Sequence, residues 1–351
     1  MVHALFTTDM NSKKEVTIYD IAKSLGISAA TVSRALKDHP AISPKTKKRV
    51  LAAAKKSGYR SNHFASNLRR QSTHTIGVIV HELNSHFITS VLAGIETVTA
   101  GTGYDIIIGH SSESAVKEAA NAHNLFHKRV DGLIASLAYD TTDLSHYEPY
   151  SKRGIPIVFF DRVEATGYGT NVVIDNYAAG YQATEHLIQQ GCKRIAHITG
   201  SLNRNVYADR LKGYKAALQK HKLKYTKDFV LVNDLGEEAA IAAARQLLQI
   251  RPAPDGIFIT NDFCAAMVIQ TIKEAGLRIP EDIAVVGFNN DVISNLIEPK
   301  LSTIDYPGKK MGEMAAQLLM NQLTGIAVPG AGKKMVIDAA LVVRGSSLKR
   351  K

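Results

Sequence analysis

The stretch VTIYDIAKSLGISAATVSRAL, residues 16–36, predicts two short helices joined by a tight turn. Thr17 and Ser28 are residues that cap helix starts, and Gly26 tolerates the left-handed backbone of a helix end. The apolar residues at helical spacing are Ile18, Ile21, Ala22 and Leu25, then Val32, Ala35 and Leu36, with Ile27 at the corner. Spacing alone is equally typical of any small helical hairpin. A helix-turn-helix is the sharper interpretation, and its second helix would enter a DNA major groove.

The charge of the chain is concentrated around this stretch. Residues 1–72 contain 14 Lys and Arg against 4 Asp and Glu, whereas the remainder contains 29 against 28. Nearly all of the formal net charge of +11 therefore lies in the first fifth of the chain. A polyanionic partner for that region explains this asymmetry better than a solvated basic face does.

A third helix follows in the sequence PKTKKRVLAAAKKSGY. Ser43 and Pro44 predict its start, Gly58 predicts its end, and its buried face is predicted to be Val50, Leu51 and Ala54. Basic side chains crowd its first turns, against the usual preference of the helix dipole. These residues are Lys45, Lys47, Lys48 and Arg49. We expect them to face DNA phosphates.

The motifs T-I-Y-D-I-A and T-V-S-R-A-L resemble the DNA-reading headpiece of the LacI/GalR (lactose-repressor) family of bacterial transcription regulators. The resemblance extends over residues 16–347. It implies DNA contacts by Thr17, Tyr19, Ser28, Ala29, Ala30, Thr31, Ser33 and Arg34. Arg34 is the best candidate for sequence readout, because a guanidinium bonds guanine O6 and N7 together. A nonspecific phosphate contact is the alternative for Arg34.

Residues 61–73, SNHFASNLRRQST, are too short to form a stable helix alone in water. In the family this segment is a hinge that becomes helical only in the dimer on its operator. The resemblance places Leu68 in the minor groove with Ala65 beside it, while Arg69 and Arg70 hold the DNA backbone. Without the resemblance, a plain linker would be the better interpretation.

From Thr75 onward, apolar runs alternate with helical stretches, as is typical of buried parallel strands. The predicted strands are 76–80, 105–109, 131–135, 155–160, 194–199, 229–232, 255–260 and 282–288. The predicted helices are 87–101, 114–128, 176–190, 206–221, 236–249 and 262–276. Two such sets predict two doubly wound α/β lobes, with ligands at the carboxyl ends of the strands. This part resembles the periplasmic-binding-protein-like core of the same family.

The predicted fold is thus an all-α helix-turn-helix headpiece followed by an α/β core of two parallel-sheet lobes. We expect a disordered leader (1–14), the headpiece (15–60), the hinge (61–73) and the core (74–347). The N-terminal lobe is predicted as 74–174 and 304–325, and the C-terminal lobe as 175–303 and 326–347. Segment 301–323 would send a strand and a helix back to the first lobe, and the strands within 333–343 would return to the second.

Polar and aromatic residues follow the predicted strands, where a sugar-like effector would bind. The candidate effector-binding residues are His86, Phe87, Asp161, Arg162, Arg210, Asn261, Asn289 and Tyr306. Arg210 matches the effector-binding arginine of the family. Each Asp or Asn alone is equally typical of a helix cap, and Asp262 is predicted to be one.

Asn289 departs from the family pattern, in which many members have an aspartate after the corresponding strand. Replacing a carboxylate by an amide would make the pocket more tolerant of negative charge. Because Arg162 and Arg204 lie nearby in sequence, a sugar acid or a phosphorylated sugar becomes a second hypothesis for the effector.

Other classes of protein are disfavoured. The N-terminus shows no signal-peptide pattern, no apolar run is long enough for a membrane span, and Cys192 and Cys264 lack metal-type partners. We therefore expect a cytoplasmic protein without cofactor or metal that binds palindromic operator DNA as a homodimer. A sugar-transport receptor is the alternative, and an enzyme is a weaker one, because phosphate-binding and nucleophile motifs are missing. The sequence leaves open the effector, the operator, the regulated genes, the sign of control and the role of the first 14 residues.

Overall fold

The computed structural model describes residues 16–59, 72–164, 168–326 and 334–349. The chain divides into two compact units, residues 1–73 and residues 74–351. The expectations for the leader 1–14 and for the hinge residues Ala65, Leu68 and Arg69 lie outside the described residues.

Within residues 16–59, the first unit contains three helices: α1 (Ile18–Leu25), α2 (Ala29–Leu36) and α3 (Pro44–Ser57). The predicted caps are confirmed. The Thr17 hydroxyl accepts from the backbone N–H of Asp20, whose carboxylate accepts in return from the backbone N–H of Thr17. The Ser28 hydroxyl accepts from the backbone N–H of Thr31, and Gly26 ends α1 with a φ of 64°. These caps satisfy backbone donors that a helix start leaves without partners.

A small apolar core holds the three helices together. Its buried members are Ile21, Ala22, Val32, Ala35, Val50 and Ala54. The prediction for Leu51 is wrong, since 54% of this residue is exposed. Val50 and Ala54 lie one turn apart on the face that contacts the core, and Leu51 lies about 100° further round the helix. The next residue in the sequence therefore points away from that core.

The second unit contains two six-stranded sheets, as predicted for two doubly wound lobes. Lobe 1 has the order β11-β5-β4-β3-β1-β2, and lobe 2 has the order β12-β10-β9-β8-β6-β7. The strands are β1 (Thr75–Val80), β2 (Asp105–His110), β3 (Gly132–Ala135), β4 (Ile157–Phe160), β5 (Thr170–Ile174), β6 (Ile195–Thr199), β7 (Val230–Val232), β8 (Gly256–Ile259), β9 (Ala284–Asn289), β10 (Ser302–Asp305), β11 (Lys334–Ile337) and β12 (Ala340–Val342). Among the described residues, all strand pairings are parallel except that of β10 with β12. All eight strands whose residue ranges are predicted above are present. Strand β5 is an additional strand that the apolar pattern does not predict.

Helices cover the faces of both sheets. They are α4 (His86–Thr99), α5 (Ala115–His127), α6 (Glu148–Lys152), α7 (Asn176–Gln189), α8 (Asn205–Lys220), α9 (Glu237–Gln249), α10 (Asp262–Glu274), α11 (Ile293–Leu296) and α12 (Gly308–Leu323). Short 3-10 turns span Ser145–Tyr147 and Lys227–Phe229. Among the described residues, no helix is both long and apolar enough to cross a membrane.

Helices α4 and α12 of lobe 1 pack backbone against backbone. A Cβ atom at Gly94 would lie 2.1 Å from the Lys309 carbonyl oxygen, and one at Gly312 would lie 2.0 Å from the Val91 carbonyl oxygen. Glycine is therefore required at both positions for this approach. The contact places α12 in lobe 1, as predicted.

The predicted return of the chain between the lobes needs a correction. Strand β10 does not go to lobe 1: it pairs with β9 in lobe 2, with Ile304 opposite Phe288. Strand β11 pairs with β5 in lobe 1, and only β12 returns to lobe 2. The last two crossings therefore follow residues 305 and 337 instead of 303 and 325. Lobe membership depends on which distant strand offers a free edge, and the apolar pattern of the strand itself does not encode that.

Candidate functional site

One face of α2 presents small and basic side chains to solvent. Ala30 and Arg34 are both exposed and lie four residues apart, so they share one side of the helix. Within the described part of the chain, no hydrogen bond or ion pair engages the Arg34 guanidinium. Ala29, Thr31 and Ser33 are half-buried beside them. A free guanidinium above two small residues is suited to reading base edges in a groove.

The other residues predicted to contact DNA near this face include two helix caps and one exposed tyrosine. The hydroxyls of Thr17 and Ser28 are exposed but already serve as helix caps, which fixes the start of each helix. Tyr19 is 70% exposed on α1. The caps therefore set the position of α2, and Tyr19 is free to contact a partner.

The basic start of α3 is only partly free. Lys45, Lys48 and Arg49 are exposed, as expected for phosphate contacts. Lys47 differs, because its ammonium lies 2.7 Å from the Asp38 carboxylate and also donates to the Asp38 carbonyl. Asp38 thus compensates one of the four charges that the sequence assigns to phosphate.

In the second unit, the candidate effector residues gather where the two lobes meet. Phe87 from lobe 1 stacks on Tyr306, with ring centroids 4.3 Å apart and an interplanar angle of 18°. The Tyr306 hydroxyl donates to Asp161 Oδ1 at 2.6 Å. All three residues are buried, and burial raises the pKa of the Asp161 carboxyl. Tyr306 follows β10, so this contact joins the second crossing to the end of β4.

Arg210 is buried in the site, and among the described residues it donates no hydrogen bond to a carboxylate. Its Nε donates to Asn176 Oδ1 at 2.9 Å and its Nη1 donates to the Thr260 carbonyl at 3.3 Å. The guanidinium carbon lies 3.5 Å from the ring centroid of Phe288. Neutral oxygens and an aromatic face therefore hold this buried cation, so its charge is the least compensated of the three arginines here.

Arg162, in contrast, is fully engaged. Its Nη1 contacts both Glu113 oxygens at 2.8 and 2.7 Å, and its Nη2 donates to the Tyr207 hydroxyl at 3.1 Å. The guanidinium also covers the Tyr139 ring at 4.1 Å, and the hydroxyls of Tyr139 and Tyr207 are 3.0 Å apart. Tyr207 belongs to lobe 2 and the other three residues to lobe 1. This cluster therefore connects the lobes.

Residues 204 and 205 add further contacts between the lobes. Arg204 is buried, and its Nη2 lies 3.4 Å from Glu164 Oε1 and donates to the Thr141 carbonyl. The Asn205 amide accepts from the backbone N–H of Val163 and donates to the Asp161 carbonyl. Arg162 and Arg204 both face a carboxylate, which weakens the support they provided for an acidic effector. The Nε and Nη1 atoms of Arg204 are nevertheless buried without a hydrogen-bond partner among the described residues.

Asn261, predicted as an effector contact, caps a helix, whereas Asp262, predicted as a cap, has a different role. The Asn261 side chain caps α10 by accepting from the backbone N–H of Cys264 at 2.9 Å. The prediction of Asp262 as a cap is wrong: it accepts from the Thr303 hydroxyl at 2.7 Å and from the backbone N–H of Asp291 at 2.9 Å. Because burial dominates, the pKa of Asp262 is raised to about 7.

The segment after β9 brings Asn289 to the edge of the site in an unusual backbone conformation. Asn289 has a φ of 118° and Asn290 a φ of 57°, values that residues with side chains rarely adopt. His86, at the start of α4 in lobe 1, faces this segment, with Nδ1 3.3 Å from Asp291 Oδ1. The structure thus places His86 and Asn289 on opposite sides of the junction between the lobes.

Several of these partners escape the sequence analysis, namely Glu113, Tyr139, Asn176, Asn205 and Tyr207. Glu113 lies 49 residues from Arg162, so local spacing carries no signal for this pair. Tyr207 and Asn205 lie inside the NRNVYADR segment after β6, and their position near a strand end was the available signal.

One group of possible metal ligands occurs within the described residues. Single ligand atoms of His81, Glu82 and Glu113 all lie within 4.8 Å of one another. Both Glu113 oxygens, however, are bound by Arg162, which already supplies a positive charge at this point. The guanidinium occupies the role that a cation would have, so the chemistry of this group does not favour a metal.

A DNA-reading helix-turn-helix followed by a two-lobed binding core defines the class of ligand-responsive transcription regulators. Comparisons agree with this assignment. Residues 17–62 match the bacterial regulatory proteins of the lacI family, and residues 184–347 match a periplasmic binding protein-like domain. Catabolite control protein A of Priestia megaterium is 33% identical over 328 residues, covering 93% of this chain and 96% of that protein. The transcriptional repressor CytR of Escherichia coli K12 is 31% identical, covering 96% and 99%.

Solved structures show the same architecture. The Lac repressor dimer bound to operator and the anti-inducer ONPF has a TM-score of 0.84 at 25% identity, covering 96% of this chain and all of that one. The complex of the transcriptional regulator CelR with cellobiose has a TM-score of 0.72 at 27% identity, covering 95% and 100%. This chain belongs to the LacI family of bacterial regulatory proteins, and it is a DNA-binding transcriptional regulator with an effector-binding core. The family and fold predicted from the sequence are confirmed.

Proposed function

We propose that this protein is a cytoplasmic repressor that binds a palindromic operator as a homodimer and responds to a small, uncharged, hydroxyl-rich effector held between its lobes. The observation that carries the proposal is the presence of both working surfaces in one chain. An exposed arginine face suits DNA, and a buried polar junction between two lobes suits a small ligand. A transport-type receptor does not bind DNA and would not need the exposed arginine face.

The DNA-contacting residues of the proposal are those of the headpiece. The set is Thr17, Tyr19, Ser28, Ala29, Ala30, Thr31, Ser33 and Arg34, with Ala65, Leu68 and Arg69 from the hinge. Arg34 would supply most of the sequence readout, because its guanidinium is exposed and has no internal partner among the described residues. Lys45 and Lys48 would supply affinity without specificity.

The effector contacts of the proposal are His86, Phe87, Asp161, Arg162, Arg210, Asn261, Asn289 and Tyr306. Asp161 and the amides of Asn261 and Asn289 offer the acceptors and donors that hydroxyl groups need. Arg210 donates both of its described hydrogen bonds to neutral oxygens, so it can donate to a ligand without breaking an ion pair.

The charge balance favours a neutral ligand over an acidic one. Arg162 and Arg204 each face a carboxylate, and Asp161 and Asp291 add buried acidic groups close by. An anion would have to approach those carboxylates, which repel it. The complex of CelR with cellobiose shows that a regulator with a similar structure binds a sugar.

Matched ligands test this proposal. Purified full-length protein would be titrated by calorimetry with neutral sugars and nucleosides, and with the uronic acid and phosphate ester of the same sugars. We expect binding within the neutral set and at least tenfold weaker binding of each acidic counterpart. Binding confined to uronic acids or sugar phosphates would contradict the effector class. Operator binding measured with and without each ligand then tests the repressor role and the sign of control.

A further inference from the structure

Most polar contacts between the lobes come from one segment of lobe 2, residues 204–207. Arg204 contacts Glu164, Asn205 contacts Val163 and Asp161, and Tyr207 contacts Arg162 and Tyr139. The pair formed by His86 and Asp291 is separate from these. It joins the first residue of α4 in lobe 1 to the segment that follows β9 in lobe 2.

Hydrogen bonds within lobe 2 fix the backbone of Asp291. Its backbone N–H donates to Asp262 at 2.9 Å, and the preceding Asn290 is bound by Arg344 at 2.7 Å and by Asp305 at 3.0 Å. The positive φ values of residues 289 and 290 persist because these contacts determine the backbone. The carboxylate therefore has a fixed position at the junction between the lobes.

The Asp291 carboxylate accepts fewer hydrogen bonds among the described residues than its two oxygens can accept. Asp291 is 9% exposed, and within the part of the chain that the structure describes its Oδ2 accepts one long hydrogen bond, of 3.4 Å from the Asn289 amide. Its Oδ1 is buried and has no hydrogen-bond partner within the described residues, while Nδ1 of His86 lies 3.3 Å away. The His86 side chain is 52% exposed, so it can move while Asp291 cannot. A buried acceptor of this kind gains from a donor that arrives when the lobes close.

We propose that His86 and Asp291 form a latch across the cleft, which stabilises the closed arrangement of the two lobes. His86 is the mobile half and Asp291 is the fixed half. The inference adds to the proposed function, because closure around a ligand is the motion that two lobes joined by three crossings permit. The latch sets the fraction of molecules that are closed before a ligand binds.

Distance measurements between the lobes test the latch without any ligand. Spin labels would be placed on full-length protein at Val116→Cys in the first turn of α5 and Glu238→Cys in the first turn of α9, both exposed positions. Cys192 and Cys264 are buried, and burial raises the pKa of their thiols to about 11 and about 12, so both should resist labelling. Labelled chains would be diluted with unlabelled ones, and pulsed electron spin resonance would report distances within one chain.

We expect His86→Ala and Asp291→Ala each to raise the ratio of open to closed molecules about two- to fivefold, the range for a partly exposed pair of polar side chains. The double variant should open no further than either single variant. His86→Asp, which opposes two carboxylates, should open the lobes most, and adding Asp291→His should restore the wild-type distribution. His123→Ala replaces an exposed histidine on α5 whose described hydrogen bond is to His127; it is the matched control and should change nothing.

Identical distance distributions for wild type, His86→Ala, Asp291→Ala and His86→Asp would overturn the latch. Fully additive single variants, or a reversed pair that stays open, would also contradict a direct contact. Far-ultraviolet circular dichroism and a melting curve for each variant show whether it is folded. Because no effector is used, a negative result here leaves the proposed effector class to be decided by its own titration.

Discussion

The headpiece and the cleft use the same residue types in opposite ways. Arg34 on α2 is exposed and has no partner among the described residues, so its charge is available to an external polyanion. Arg162 in the core is buried and bound to Glu113 and Tyr207, so the Glu113 carboxylate compensates its charge within the protein. Exposure and compensation therefore distinguish a charge that is available to a polyanion from one that is neutralised within the protein.

The largest effect should come from breaking a compensated pair. Arg162→Met leaves Glu113 without its cation in a largely buried position, which should lower the free energy of unfolding of the core by about 3 kcal/mol. Urea denaturation of the full-length protein measures this change. Adding Glu113→Gln removes the uncompensated charge and should recover much of the loss. A single variant as stable as wild type would contradict the contrast between the two regions.

A buried carboxyl in the core should make stability depend on pH. Burial raises the pKa of Asp262 to about 7, so the folded protein binds a proton that the unfolded chain, with a carboxyl pKa of 3.8, releases. The contribution of this group to stability is therefore present below about pH 4 and is lost as the pH rises towards 7.

Asp262→Asn removes that dependence. Its free energy of unfolding relative to wild type should rise by roughly 2 kcal/mol between pH 5 and pH 7, and then level off. Thermal melts at a series of pH values measure the difference. Asp228→Asn, at an exposed position in a 3-10 turn, is the control and should show no such trend. A constant difference between Asp262→Asn and wild type would show that Asp262 is ionised throughout.

The headpiece should show the opposite behaviour, a loss of binding without a loss of stability. Arg34→Ala should weaken operator binding roughly tenfold or more and relax the preference at one base pair of each half-site. Its melting temperature should match wild type, because the guanidinium has no described partner. Equal weakening on all DNA sequences would show that Arg34 contacts phosphate and does not read bases.

The smallest effect compares two neighbouring lysines. Lys48→Ala should reduce the salt dependence of DNA binding by about one unit of log-log slope. Lys47→Ala should reduce it less, because Asp38 already compensates that ammonium. Binding to operator and to unrelated DNA over a series of salt concentrations measures both slopes. Equal slopes for the two variants would mean that Lys47 leaves Asp38 when DNA binds.

The headpiece could be predicted from the sequence because its signals are local. The caps at Thr17 and Ser28 and the turn at Gly26 act within three or four residues, and all three are confirmed. Leu51 was the exception, since an apolar residue at the edge of a helix face can lie on either side of it.

The core was predictable as a pattern but less so as an assembly. Apolar runs identify strands, yet nothing in Ser302–Asp305 states that its partner is β9 in lobe 2. Strand Thr170–Ile174 escaped because it is short and begins with polar residues. The pairing of Arg162 with Glu113 required the folded chain, and it reversed the argument for an acidic effector.

Selection of DNA fragments by the full-length protein, followed by footprinting, tests whether the exposed headpiece reads operator DNA and whether the cleft controls this reading. We expect enrichment of short palindromic sites protected on both halves, with an affinity that changes when a ligand identified by titration is added. Absence of enrichment, with and without ligand, would contradict the account, since a regulator of this family must select DNA.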